Sequence, residues 1–397
     1  MPNYLCENCG FTDSLDKNLY FCPKCGDPLT IHYDNSELKA KFSGIGVWRY
    51  SDVLPVNKDK SVSLMEGHTP LYKSLRIGDS SGVKKLYIKN EGMNPTGSFK
   101  DRGMTVAITR AIEQGFRSVL CASTGNTAAS LAIYAARAGI RGYVVVPDGA
   151  VALGKMAQAR AAGAYIVKVR GNFDLALQIV KDYAKNSGDA YLVNSVNPFR
   201  IEGQKTVAYE IVEEIGVPDW ITIPVGNAGN ITALWKGLNE LKRLGVIDKM
   251  PRLLGVQASG ASPIFKAFIN KSKTLEPLSS PNTIATAIKI GNPASWRRAL
   301  KSVRESGGIM AEVSDEEIVR AQYMLSSKEG IFVEPASAAS VAGFLNASRD
   351  GLISKDDVVV SIVTGNGLKD PDSVGRFENH EIIIGSDENA LRSVISQ

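Results

Sequence analysis

A lysine at the start of a predicted helix could carry covalent chemistry in this chain. Lys100 lies in the segment NPTGSFKDRG, where Ser98 suits the N-cap of the helix and Asp101 its first turn. A cation at the positive end of a helix is disfavoured by roughly a few tenths to 1 kcal/mol, which lowers the pKa of the ammonium. The neutral amine can then condense with an aldehyde. Alone, such a lysine is more ordinarily a surface residue.

A loop of hydroxyl and amide side chains joins a predicted strand to a predicted helix at residues 122–128, ASTGNTA. Ser123, Thr124 and Asn126 could hydrogen-bond an anion or a phenolate oxygen. Ligands of open α/β sheets bind at the carboxyl ends of parallel strands, so we expect this loop at a binding site. By itself the motif also fits a plain strand-to-helix turn.

A loop of small residues, GNAGN at 226–230, also lies between a predicted strand and a predicted helix. Its backbone N–H groups can face inward together, as in a phosphate-binding loop. Because it lacks the Lys-Ser/Thr ending of a nucleotide P-loop and the spacing of a dinucleotide fold, a cofactor monophosphate fits better. Thr364 ends another predicted strand near the C-terminus, where its hydroxyl could contact a ring nitrogen.

Four of the five cysteines form two C-x2-C pairs, Cys6 with Cys9 and Cys22 with Cys25. A glycine follows each pair and permits a tight turn beneath it. This spacing is typical of a zinc ribbon, in which four thiolates hold a tetrahedral ion. Free or redox-active thiols are the alternative. Cys121 lies in an apolar run and is predicted to be a core residue.

The elements that must position these residues alternate between short apolar runs and segments of helical period from about residue 85 onward. This pattern predicts α/β lobes with largely parallel sheets. Strands are predicted over 86–89, 118–122, 142–147, 165–169, 190–193, 220–225, 253–257 and 358–363. Helices are predicted over 155–162, 174–185 and 200–215, and an exposed loop over 271–282.

Composition excludes several classes of protein. Apolar residues make up 44% and charged residues 22% of the 397 residues, which indicates an ordinary folded enzyme. The net charge of +5 is spread without a basic run, so nucleic acid is not an expected partner. No apolar run reaches the roughly 18 residues of a membrane span, and the N-terminus shows no export signal, so we expect a cytoplasmic protein without a membrane partner.

Together, the motifs resemble the threonine synthase branch of the fold type II pyridoxal-phosphate enzymes, over residues 66–372. The stretches that carry the resemblance are NPTGSFKDRG, ASTGNTAAS, GNAGNITA and TGNGLKDPD. Residues 285–296 and 334–340 also resemble this family and are expected to line or support the cleft. His68 occupies a variable family position, and an N-terminal ribbon occurs in only part of the family.

The resemblance implies a tryptophan synthase β-like architecture of two parallel-sheet α/β lobes with a cleft between them. Residues 1–35 are then a zinc-ribbon-like extension, 36–100 with 206–385 the large cofactor-binding lobe, and 101–205 the small lobe. A homodimer is also implied.

Site roles follow from the resemblance residue by residue. Lys100 is the Schiff-base lysine and proton shuttle, Asn126 binds the ring hydroxyl, and Thr364 faces the ring nitrogen of pyridoxal 5'-phosphate. The cofactor phosphate is bound by the loop residues Gly226, Asn227, Ala228, Gly229 and Asn230. The substrate is bound by Ser123, Thr124, Asn194, Ser195 and Arg200. Structural zinc at Cys6, Cys9, Cys22 and Cys25 is expected from the cysteine spacing instead.

The implied reaction converts O-phospho-L-homoserine and water to L-threonine and phosphate by γ-elimination and β-addition of water. A related β-replacement or elimination enzyme, such as a cysteate synthase or a threonine dehydratase, is the nearest alternative. A non-catalytic interaction protein is a more distant one, disfavoured by the intact lysine and loops.

Overall fold

The structure is a computed structural model that describes residues 2–34, 42–149, 156–186, 188–377, 381–386 and 388–395. The strands, in chain order, are β1 Asn3–Leu5, β2 Thr12–Ser14, β3 Thr30–His32, β4 Leu71–Lys73, β5 Lys85–Asn90, β6 Ser118–Ala122, β7 Arg141–Pro147, β8 Tyr165–Val169, β9 Tyr191–Leu192, β10 Trp220–Pro224, β11 Arg252–Ala258, β12 Ile309–Val313 and β13 Val358–Val363. The helices are α1 Ile77–Ser81, α2 Lys100–Glu113, α3 Asn126–Ala138, α4 Ala157–Ala161, α5 Phe173–Asn186, α6 Pro198–Gln204, α7 Thr206–Ile215, α8 Gly229–Arg243, α9 Pro263–Ile269, α10 Trp296–Glu305, α11 Asp315–Glu329, α12 Pro335–Arg349 and α13 Glu388–Ile395. Short 3-10 segments are Val47–Val53, Lys58–Lys60, Glu91–Met93, Ser259–Ala261, Thr286–Ile288, Gly367–Lys369 and Pro371–Arg376.

The larger sheet has the strand order β12-β11-β10-β13-β5-β4. Its neighbouring strands run parallel, except that β4 pairs antiparallel with β5. Runs such as Val358–Val363 are apolar almost throughout because helices cover both faces of a parallel sheet. The pairing of β13 with β10 and β5 brings the carboxyl ends of these strands to one edge of the sheet.

The smaller sheet is parallel and has the order β8-β7-β6-β9. Leu120 of β6 pairs with Tyr143 on one side and Leu192 on the other. The loops that follow β6 and β9 therefore leave the sheet side by side. The α/β architecture with two largely parallel sheets is confirmed.

The N-terminal segment forms a small antiparallel sheet in the order β2-β1-β3. A further bridge pairs Phe21 with Pro28 and closes the turn that carries the second cysteine pair. The buried side chains of this segment include Tyr4, Leu29 and Ile31. They join the main core, so the segment packs onto the rest of the chain.

Helix α12 packs closely on the larger sheet because its inner face is built from small residues. A Cβ atom added to Gly343 would lie 2.4 Å from Cγ2 of Val256 on β11, so only glycine allows this approach. At the start of the helix, the backbone N–H of Glu334 donates to the carbonyl of Gly365 at 3.1 Å. This contact ties the helix to the carboxyl edge of β13.

Two of the predicted helices are different in the structure. The segment predicted as one helix over 200–215 is split at Lys205, because Ala208 donates to the Lys205 carbonyl three residues back, at 3.0 Å, in a local 3-10 turn. The helix predicted over 155–162 is observed over Ala157–Ala161, and residue 155 lies outside the described ranges. The loop over 271–282 is confirmed.

No helix in the described ranges is both long and apolar enough to cross a membrane.

Candidate functional site

Lys100 is the first residue of α2, and its side chain lines a cleft of about 1080 Å³ at the carboxyl edges of both sheets. Burial, and after it the nearby positive charge of Arg200, lower the pKa of its amine to about 7. Glu334 acts in the opposite direction. A large fraction of Lys100 is therefore neutral at physiological pH, as a nucleophile or base requires.

The predicted N-cap at Ser98 is wrong. Phe99 occupies the cap position without a side-chain hydrogen bond, and the Ser98 hydroxyl is buried without a partner among the described residues. Asp101 takes over the role of fixing the turn, because its carboxylate accepts hydrogen bonds from the N–H and hydroxyl of Thr96, both at 2.7 Å. It also accepts one from Ser130 at 2.6 Å, and burial raises its pKa to about 6.

The loop after β6 presents Ser123, Thr124 and Asn126 to the same cleft. Asn126 begins α3, and its amide nitrogen donates to both carboxylate oxygens of Glu334, at 2.9 and 3.1 Å. An amide nitrogen carries two hydrogens, so this side chain has its orientation fixed from one side and can still donate into the cleft.

Glu334 is an acidic residue of this site to which the sequence motifs assigned no specific role. It lines the cleft, and burial raises the pKa of its carboxyl group, although the hydrogen bond from Asn126 opposes this shift. A glutamate directly before a helix-starting proline is the only local signal, because its partner lies 208 residues away. Its contact with Asn126 becomes evident only in the folded chain.

The loop over 226–230 leads from β10 into α8, whose first residue is Gly229. Ala228 adopts φ +67°, a left-handed conformation uncommon for a non-glycine residue and often found at functional sites. N–H groups in the first turn of a helix lack intrahelical acceptors, and the Asn230 amide nitrogen is buried without a partner among the described residues. A Cβ on Gly226 would lie 3.0 Å from Cα of Ile288, so this side of the loop is tightly packed. The arrangement suits an anion at the helix N-terminus.

Thr364 follows β13 and is buried beside the start of α2. Its carbonyl accepts from the N–H of Phe99 at 3.0 Å, which connects the strand end directly to the lysine helix. Its hydroxyl is 3.0 Å from the hydroxyl of Ser337, which also accepts the backbone N–H groups of Thr364 and Gly365.

The loop after β9 places Asn194 and Ser195 on the cleft wall. The Asn194 side chain forms two hydrogen bonds with the backbone of Ala122, accepting at 3.0 Å and donating at 2.9 Å. It therefore joins the ends of β9 and β6. Arg200 is buried close to this loop, with Nη1 donating to the Val193 carbonyl at 3.0 Å. Its Nε and Nη2 atoms have no partner among the described residues.

The structure brings the predicted cofactor and substrate residues to one region, in two layers. Those that line the cleft directly are Lys100, Ser123, Thr124, Asn126, Asn194, Ser195 and Asn227. Those buried beyond the lining are Gly226, Ala228, Gly229, Asn230, Thr364 and Arg200.

The four N-terminal cysteines converge as their spacing predicts. The sulfur atoms of Cys6, Cys9, Cys22 and Cys25 all lie within 4.8 Å of one another. Each pair lies in its own backbone turn, and the two turns have the same hydrogen bond. The N–H of Gly10 donates to the Cys6 carbonyl and that of Gly26 to the Cys22 carbonyl, each at 2.9 Å. Both glycines adopt positive φ, +72° and +77°. Four thiol ligands at this separation fit a tetrahedral zinc ion.

A profile of the family described as "Pyridoxal-phosphate dependent enzyme" matches residues 62–365. A threonine synthase of Methanocaldococcus jannaschii is 52% identical over 99% of this chain and 99% of its own length. A threonine synthase of Methanosarcina acetivorans is 49% identical over 100% of this chain and 99% of its own length.

Among solved structures, the processed form of threonine deaminase isoform 2 from Solanum lycopersicum is similar in fold. It has a TM-score of 0.67 and 21% identity, covering 91% of this chain and 92% of that chain. Maize serine racemase has a TM-score of 0.64 and 24% identity, and the match covers 83% of this chain and 91% of that chain. These likenesses show the fold and confirm the predicted fold type II architecture.

Proposed function

Because the chain belongs to the pyridoxal-phosphate-dependent enzymes and, among them, to the threonine synthases, we propose that it converts O-phospho-L-homoserine and water to L-threonine and phosphate. In reaction class it is then a carbon–oxygen lyase acting on phosphates. The observation that carries this proposal is the convergence of Lys100, Asn126 and the 226–230 loop on one cleft. This chemistry needs a reactive amine, a hydrogen-bond partner for the ring hydroxyl and a binding loop for the phosphate.

The residues present fit pyridoxal phosphate. We propose that Lys100 holds its aldehyde carbon, the loop residues 226–230 its phosphate, Asn126 its ring hydroxyl and Thr364 its ring nitrogen. The fit rests on the helix N-terminus at Gly229 and on the Asn230 amide nitrogen, which has no partner within the described ranges; both are suited to phosphate oxygens. When bound, the cofactor supplies an electron sink that stabilises negative charge developing on the substrate carbons.

Lys100 is the proposed base and acid of the reaction. With its pKa at about 7, its amine can remove the Cα proton of the substrate and return it later near neutral pH. A proton leaves Cβ as phosphate leaves from Cγ, a proton is then returned to Cγ, and water adds at Cβ. Thr364, a neutral partner for the ring nitrogen, leaves that nitrogen largely unprotonated, which favours elimination and replacement over transamination.

Arg200 is the proposed anchor for the substrate phosphate, together with Asn194 and Ser195, while Ser123 and Thr124 also bind the substrate. Two nitrogens of this buried guanidinium lack a partner in the part of the chain that the structure describes, which is unfavourable unless an anion completes its hydrogen bonds. A phosphate can accept two such bonds in parallel. If Arg200→Ala left both KM and the partition between threonine and other products unchanged, this role would be wrong.

We also propose that Cys6, Cys9, Cys22 and Cys25 hold one structural zinc ion. The closeness of the four sulfur atoms supports this site over scattered free thiols. Elemental analysis of protein purified without chelators should find about one zinc per chain, and its absence would contradict the site.

The proposed three-part division of the chain, with an extension over 1–35, a large lobe over 36–100 and 206–385, and a small lobe over 101–205, is supported by the three separate sheets. A homodimer is proposed from the family resemblance, and a cytoplasmic location from the sequence. Light scattering of the purified protein should give twice the chain mass.

The test of the function is a comparison of substrates on one purified preparation. O-phospho-L-homoserine alone should yield L-threonine and phosphate in equal amounts. Phosphoserine with sulfite tests for a cysteate synthase, and threonine alone tests for a dehydratase. No threonine from the first mixture, with turnover in either of the others, would overturn the proposal.

A further inference from the structure

We propose that the cysteine-rich extension, residues 1–35, forms part of the wall of the cleft. We propose further that its contacts with α10 hold the cofactor phosphate loop, residues 226–230, in place. This inference rests on the proposed cofactor and zinc sites. Its first observation is that the second cysteine turn reaches the cleft. Phe21, Gly26, Asp27 and Pro28 line the same cavity as Lys100.

The extension is fastened to the start of α10 by ion pairs and a backbone contact. Arg298 lies at their centre. Its Nε is 3.3 Å from a carboxylate oxygen of Glu7, and its Nη2 donates to the carbonyl of Pro28. Its side chain is only 10% exposed, so the charge depends on these partners from the extension. The neighbouring Arg297 pairs with Asp27 at 2.7 Å.

The residues just before α10 contact the phosphate loop. The N–H of Ser295 donates to the Asn227 carbonyl at 3.2 Å, and the N–H of Ala294 to the Asn227 side-chain oxygen at 3.4 Å. Asn227 itself lines the cleft. A continuous set of contacts therefore runs from the cysteine turn through Arg298 and the start of α10 to the phosphate loop.

The extension also contacts the smaller sheet on the other side of the cleft. The Tyr20 hydroxyl accepts the N–H of Leu192 at 3.0 Å, and Leu192 precedes the loop that carries Asn194 and Ser195. The ring of Tyr4 lies edge-on to Phe199, with centroids 6.4 Å apart. The extension therefore contacts α10 on one side of the cleft and the smaller sheet on the other.

A bound metal would add to the order that this segment gains by packing on the main core. A unit of about 35 residues buries too little apolar surface to fold alone, and small zinc modules unfold without their ion. Zinc at the four cysteines would therefore order the surface that Arg298 binds. The consequence is that binding of pyridoxal phosphate depends on residues that never touch the cofactor.

The experiment measures the Kd of pyridoxal phosphate for apo-protein of the wild type, Arg298→Ala and Glu7→Gln. Neither substituted residue lines the cleft. We expect about a tenfold weaker Kd for Arg298→Ala and a smaller change for Glu7→Gln, because remote coupled residues alter affinity by about two- to thirtyfold. Arg304→Ala, an exposed arginine on the same helix, is the matched control and should leave the Kd unchanged.

Arg298→Lys, which keeps the charge, should recover part of the affinity, whereas a loss caused by general instability would not follow charge. Removing zinc from the wild type with a chelator should also release cofactor. Should Arg298→Ala fail to fold, Glu7→Gln and the chelator decide. An unchanged Kd of pyridoxal phosphate in folded Arg298→Ala or Glu7→Gln, or after zinc removal, would overturn this inference and leave the proposed function standing. Failure of the wild type to bind the cofactor at all would refute the proposed function as well.

Discussion

The rate at which apo-protein takes up pyridoxal phosphate should depend on pH with a midpoint near 7. The reactive form of Lys100 is the neutral amine, and its pKa is about 7. The neutral fraction is then about a tenth at pH 6, half at pH 7 and nine-tenths at pH 8, so the rate should level off above pH 8. An ordinary lysine would gain about tenfold per pH unit throughout this range.

Two substitutions should move this midpoint in opposite directions. Arg200→Met removes a positive charge that lowers the pKa of Lys100, so the midpoint should rise, although burial remains the larger cause and keeps it below that of a free lysine. Glu334→Gln removes the negative charge that raises it, so the midpoint should fall. The assay is stopped-flow absorbance of the lysine-linked cofactor on mixing. A wild-type rate that still climbs tenfold per unit above pH 8, or unmoved midpoints in both variants, would refute the reasoning.

Two predictions on stability follow from the packing beneath α2. Gly203→Ala should destabilise the protein by about 3 kcal/mol or prevent folding, because its Cβ would lie 1.7 Å from the Arg102 carbonyl oxygen. Gly375→Ala is the control, because a Cβ there meets open space, and it should change the free energy of unfolding by less than about 0.5 kcal/mol. Urea titrations measure both. Burial raises the pKa of Glu210, but Arg102 and Lys89 more than offset this and lower it to about 2. The native carboxylate therefore stabilises the fold above about pH 4.5, and this contribution is lost as the pH falls toward 2. In Arg102→Met, unfolding measured between pH 3 and 5 should lose this dependence, and an unchanged slope would contradict it.

The parts of the fold and site that the sequence predicts are those encoded in a few neighbouring residues. Lys100 and the GNAGN loop each combine a strand end, a helix start and the residues between them, which are visible in one short segment. The cysteine pairs are likewise local, because each pair and its glycine form one turn.

The features that sequence reasoning missed depend on partners that are distant along the chain. Ser98 has the right chemistry for an N-cap, but the Asp101 carboxylate fixes the turn through Thr96 instead. The contact between Glu334 and Asn126 spans 208 residues, and the contact between Arg298 and Pro28 spans 270. No periodicity or motif indicates such pairs, since they form only when distant parts of the chain fold together.

The most direct test of the central claim is to find which lysine carries the cofactor. Three lysines of the cleft, Lys100, Lys181 and Lys369, all have a pKa lowered by burial, so the cofactor could be carried by any of them. Borohydride reduction of the holoenzyme, followed by peptide mass spectrometry, should place the pyridoxyl group on Lys100 alone. The adduct should vanish in Lys100→Ala and persist in Lys369→Ala. A pyridoxyl group on Lys369, or an adduct that survives Lys100→Ala, would contradict the account.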